Sequence, residues 1–190
     1  VAGRTPAAAL EAFTTPIKDA LGCFARGRVS VDSYDPDVEG KLSFNGSDDI
    51  LLNGAGRVTL SVLMRYRLVK RRAPVASPGK PWKVSTTGWI YTLKDLHHSL
   101  IADFHWHPHV TPDIMFPHVH PANETTRRHV PTGRVLIEDV LTLAVECGAE
   151  PDDMDKWRTI RERNLENFGK GATWGFRHPP SIQQPSDLSP

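Results

Sequence analysis

From Val58 to Leu68 every second residue is apolar: Val58, Leu60, Val62, Met64, Tyr66 and Leu68. Thr59, Ser61, Arg65 and Arg67 fall between them. Successive side chains on a strand point to opposite faces, so this near-perfect period of two predicts a half-buried strand over residues 57–70. A loop of Pro, Ala, Ser and Gly from Ala73 to Pro81 follows, and Trp82 to Leu93 returns as a second strand rich in Trp, Val, Thr, Ile and Tyr. A turn over residues 94–99, holding His97 and His98, leads into a third strand, Leu100 to His107. A short fourth strand is expected from Met115 to His120. Upstream, the alternations Val29/Val31 and Leu42/Phe44 within residues 26–45 predict one or two further strands separated by Asp, Pro and Gly turns.

The spacing changes at both ends of the chain. Thr5-Pro6 has the form of a helix start, with Thr able to cap and Pro tolerated at the first helical position. Thr15-Pro16 repeats it, so residues 6–22 predict a helix broken or restarted near Pro16 and closed by Gly22. After Pro131, the residues Leu136, Val140, Leu143, Ala144 and Cys147 keep helical spacing up to Gly148. Asp152 or Asp153 then caps a second C-terminal helix, with Met154, Trp157, Ile160, Leu165 and Phe168 on one stripe and Gly169 at its end. Strands followed by helices predict an α+β fold: an antiparallel meander with one N-terminal and two C-terminal helices packed on it. We expect one domain over residues 1–168 and a flexible Gly- and Pro-rich tail over 169–190.

Composition narrows the function classes a little. A net charge of +1 gives no global preference for polyanions, yet residues 65–72 (RYRLVKRR) hold five cations and no anion. Cys23 and Cys147 are too few and too far apart for a disulfide framework, and both sit in apolar stretches as small core residues. The N-terminus lacks the basic-then-apolar pattern of a secretory signal, and no apolar run is long enough to span a bilayer. A cytoplasmic protein without membrane contact is the expectation. No nucleotide cofactor is expected.

Chemistry concentrates in one segment. Eight of the nine histidines lie between His97 and His129, and four of them form the pairs His105-Trp-His107 and His118-Val-His120. On a strand, residues i and i+2 share a face about 7 Å apart. Asp103, His105 and His107 would therefore point away from the core that Leu100, Ala102, Phe104 and Trp106 face. An antiparallel partner carrying His118 and His120 would bring five titratable groups together. Such a set has two chemical uses. Three or four of these side chains could hold zinc, iron or manganese, with His105, His107, His118 and His120 as the ligand candidates. Alternatively, two histidines could act as general base and acid on RNA, whose 2′-hydroxyl supplies the nucleophile. Arg65, Arg67, Lys70, Arg71, Arg72, Arg127 and Arg128 are then candidates to hold phosphates. Trp82, Trp89, Tyr91 and Trp106 are stacking candidates, although strand aromatics more often build cores. His109 and His129 read as surface residues, and His178 falls in the tail. A third possibility is a binding or regulatory protein whose histidines hold a metal or a partner without catalysis.

The segment from about Trp89 to Val145 resembles the TumE-like toxins of prokaryotic type II toxin–antitoxin pairs. The resemblance rests on the aromatic strand Trp89-Ile-Tyr91, a strand ending in histidine, Phe116-Pro-His-Val-His120 and the helix Ile137-Glu-Asp-Val-Leu141. Family members commonly carry Arg-Tyr-Asp before the histidines, where this chain has Ala102-Asp-Phe-His105, and they lack an equivalent of the first 55 residues. The resemblance implies a sheet-plus-helix domain that inhibits growth and a cognate antitoxin protein as partner.

Overall fold

The alternating run that dominates the sequence is the central strand of the protein. The structure is a computed structural model that describes residues 2–70, 79–108, 114–122 and 128–171. In chain order the elements are β1 (Ala2–Gly3), α1 (Pro6–Leu21), β2 (Val29–Val31), β3 (Gly40–Phe44) and a short 3-10 turn (Asn45–Ser47). They continue with β4 (Ile50–Leu51), β5 (Thr59–Lys70), β6 (Trp82–Lys94), β7 (Leu100–Trp106), β8 (His118–Pro121) and β9 (Val130–Pro131). Two helices, α2 (Ile137–Glu146) and α3 (Met154–Gly171), end the described chain. The strands form one sheet in the order β2-β3-β5-β6-β7-β8-β9, with β1 beside β6 and β4 beside β5, every pairing antiparallel. The fold is α+β, as the pattern predicts.

All six apolar residues of the alternating run are buried, five of them on one face of β5, together with Leu42 and Phe44 of β3 and Trp89, Tyr91 and Leu93 of β6. The helices cover this face through Leu10, Ile17 and Leu21 of α1, Ile137, Val140 and Leu141 of α2, and Trp157 and Ile160 of α3. Trp89 and Tyr91 stack on each other inside this core, so they are packing residues and not platforms for bases. Trp82 and Trp106 are half-buried against the same cluster.

The expected break at Pro16 does not occur: α1 runs unbroken, capped where Thr5 Oγ1 accepts from Ala8 N–H. A proline inside a helix costs about 3 kcal/mol or more. Burying a large aliphatic side chain returns about 1.5–3 kcal/mol, and Leu10, Ile17 and Leu21 lie on both sides of Pro16. The Asn164 amide also donates to the Pro16 carbonyl at 3.0 Å, fastening α3 to the kink-prone turn. Asp153 caps α3 by accepting from Lys156 N–H, and that helix continues past Gly169 to Gly171. At the end of α2, Gly148 takes the left-handed φ of +92° that lets the chain turn away. The expected 73–81 loop lies mostly outside the described residues, as does the tail beyond Gly171. No described helix is long and apolar enough to cross a membrane.

Candidate metal centre

With the helices on one side, the other face of the sheet carries no helical layer among the described residues, and the histidines converge there. β7 and β8 pair with Asp103 opposite His120 and His105 opposite His118. Pairing alone therefore makes a two-by-two array of one carboxylate and three imidazoles. Ring centroids lie 5.5 Å apart for His105–His118, 4.9 Å for His105–His120 and 5.1 Å for His118–His120. One nitrogen from each of these three residues lies within 4.8 Å of the others, so the triad could hold a metal ion.

Two of the triad's ring nitrogens are already engaged, one on His105 and one on His118. His105 Nε2 meets Asp103 Oδ2 at 2.7 Å, while Asp103 Oδ1 accepts from Thr92 Oγ1 at 2.7 Å. The carboxylate is thus clamped from two sides, and His105 is left to offer Nδ1. Burial alone would raise the Asp103 carboxyl, but its hydrogen bonds from His105 and Thr92 outweigh that and hold it below the usual carboxylate range. His118 Nδ1 donates to the Phe116 carbonyl at 3.1 Å, leaving Nε2 as its ligand atom. That nitrogen is buried without a hydrogen-bond partner, on a side chain with 0 % exposure. Desolvation, reinforced by the neighbouring His129, His105 and His120, lowers the His118 imidazole to about 4. It is neutral at pH 7, the form a metal requires.

Two further histidines flank the triad. His107 lies just past the end of β7, with its ring 5.7 Å from His105 and 5.3 Å from His118, and its buried Nδ1 has no hydrogen-bond partner. His129, which reads from the sequence as a lone surface residue, is a member of the cluster: its ring lies 4.6 Å from both His118 and His120. It is solvent-exposed at the rim, so both descriptions hold, but its neighbours are histidines. The sequence signal for it is weak, because the two-residue strand β9 that directly follows it is recognisable only through its pairing with β8. Thr92, which orients Asp103, carries no sequence signal beyond its place on the open face of β6.

All five predicted centre residues, Asp103, His105, His107, His118 and His120, therefore meet on one face. Arg65 and Arg67 are exposed on that same face two strands away, and Arg128 is exposed next to His129. Arg71, Arg72, Arg127 and His109 lie outside the described residues. His97 and His98 sit in the β6–β7 turn as expected. Comparisons with protein families, with curated proteins and with solved structures found no match for this chain.

Proposed function

We propose that this protein is a metal-assisted hydrolase acting on a phosphodiester, with RNA as the substrate. The observation that carries the reading is the state of the triad nitrogens. His118 Nε2 is buried without a partner, which costs about 1–3 kcal/mol unless a ligand arrives. His105 is oriented through Asp103, the carboxylate–histidine arrangement that typically backs a metal ligand. A bound zinc, iron or manganese ion would polarise a phosphoryl oxygen and supply an acidic water near neutral pH. Around it, His105, His118 and His120 act as ligands and Asp103 fixes the His105 ring. His107, adjacent and with an unbonded nitrogen, can move a proton between solvent and substrate. Arg65, Arg67, Arg127 and Arg128 are proposed to neutralise phosphates. The resemblance to TumE-like toxins supports a growth-inhibiting role held in check by an antitoxin protein.

A second reading is favoured by the complete burial of His118: a metal- or partner-binding regulatory protein without turnover. The two are separated by elemental analysis of untagged protein alongside His105→Ala/His118→Ala, followed by a ribonuclease assay of His107→Ala. Near-stoichiometric metal in the wild type alone, and lost cleavage at near-native melting in His107→Ala, is the expected outcome. A lowered melting temperature with no cleavage by any form would leave the scaffold.

A further inference from the structure

Across the open face of the sheet, Lys41 on β3 stands opposite Arg65 on β5, and Arg65 opposite Gly88 on β6. One step along β6, Trp89 pairs with Trp106 on β7, which places His107 beside Gly88. A single row across four strands thus reads cation, cation, glycine, histidine. The next two rows toward the His105–Asp103 end are filled on β6: Ser43, Leu63, Ile90, His105 and His118 in the first, and Ser61, Thr92, Asp103 and His120 in the second. Gly88 contributes no side chain at this level and is itself buried, so the Arg65 stem leans across β6 here and carries its guanidinium toward the histidines.

A Cβ at position 88 would lie 3.9 Å from Arg65 Cδ and 3.0 Å from the Trp106 carbonyl, so the arginine stem borders the glycine on one side and the β7 backbone on the other. Glu39, accepting from Thr87 Oγ1 at 2.8 Å, is the carboxylate that Arg65 meets among the described residues. Their closest approach is 3.7 Å, beyond the 2.7–2.9 Å or so of a charge-assisted hydrogen bond. The half-exposed guanidinium keeps donors for a better-placed anion. Arg67, two residues along β5 and opposite Ser85, extends the cationic track on the same face.

We propose that this row seats the backbone of a single-stranded nucleic acid: one phosphate lies against the exposed Arg65 and Lys41, and the exposed Arg67 receives a neighbouring one. The span from the β5 backbone to that of β7 is two strand spacings, about 10 Å. A phosphate at Arg65 is therefore distinct from one held at the histidines, and the preferred ligand is an oligonucleotide rather than a mononucleotide. The placement of the cleaved bond rests on the hydrolytic reading of the histidine centre; the track itself does not.

The test is fluorescence anisotropy with a labelled 2′-O-methyl oligoribonucleotide, which resists cleavage, on protein of measured metal content. We expect Arg65→Ala to weaken binding about tenfold with metal content unchanged, and Lys41→Ala and Arg67→Ala to weaken it less. Each should reduce the salt slope by about 1. Arg67→Ala and Lys41→Ala decide the matter should Arg65→Ala misfold. Equal binding by all variants overturns the track, as does displacement by inorganic phosphate or a mononucleotide as readily as by unlabelled oligomer. Bound metal without oligonucleotide binding overturns the track and spares the metal centre. Arginine-dependent binding by protein that takes up no zinc, iron or manganese when these are supplied upholds the track and overturns the metal-assisted reading.

Discussion

Asp103 shows how much a single residue can arrange. It touches His105 on its own strand and Thr92 on the next, so one side chain aligns a proposed ligand and ties β6 to β7. Removing its charge while keeping its shape should loosen the centre without unfolding it. We predict that Asp103→Asn lowers zinc affinity about 10–100-fold, the range seen for such supporting groups, in a competition titration against a chromogenic chelator. Unchanged affinity would mean that the His105–Asp103 contact serves only the sheet. His129 makes the complementary point. Alone in the sequence it reads as a surface imidazole, yet β9 sets it against His118 and His120.

At the scale of elements, the three helices meet at a buried polar junction. Glu138 of α2 accepts from the Asn164 amide of α3 at 2.7 Å, and the same amide reaches Pro16 of α1. Burial pushes the Glu138 carboxyl above its ordinary value, although the bond from Asn164 pulls the other way. A carboxyl raised in the folded state binds its proton more tightly there than in the unfolded chain. Its contribution to stability is full below the ordinary carboxyl pKa and is lost as pH rises through the raised value. Glu138→Gln keeps the acceptor oxygen and removes the titration. It should therefore melt higher than wild type at pH 7.5, with the advantage vanishing near pH 4, as followed by circular dichroism. A variant less stable at pH 7.5 but matched to wild type near pH 4 would show that the charge has a favourable partner at the junction.

At the scale of the molecule, the described helices pack on one face of the sheet, and the histidine cluster lies on the other. Because the triad exists only in the folded chain, an ion bound there must stabilise the fold. At a hundredfold excess over Kd the gain is about 2.7 kcal/mol, or a rise of about 5–10 °C in Tm for a domain of this size. Chelator should reverse it. His118 is lowered from 6.5 to about 4 on folding, so the stability tied to its neutral form is present above 6.5 and lost as pH falls toward 4. The metal-induced rise should shrink over the same window, because protons compete for the ligand nitrogens. A Tm indifferent to zinc, iron and manganese at pH 7.5 would remove the metal centre from consideration.

What the sequence determined by itself is what short-range periodicity can encode. Period two placed β5, β6 and β7 and assigned Val58 to Leu68 to the core, while helical spacing placed α1, α2 and α3. The same rule put Asp103, His105 and His107 on one face, and two His-x-His pairs were enough to anticipate their meeting. Tertiary structure decided the rest, because those outcomes depend on contacts between residues far apart in the chain. Burial and the Asn164 bond kept α1 whole through Pro16. Strand pairing brought in His129 and Thr92, and register alone aligned Lys41, Arg65 and Gly88 with His107. Alternation tells a residue which face it occupies; only pairing tells it which neighbours share that face.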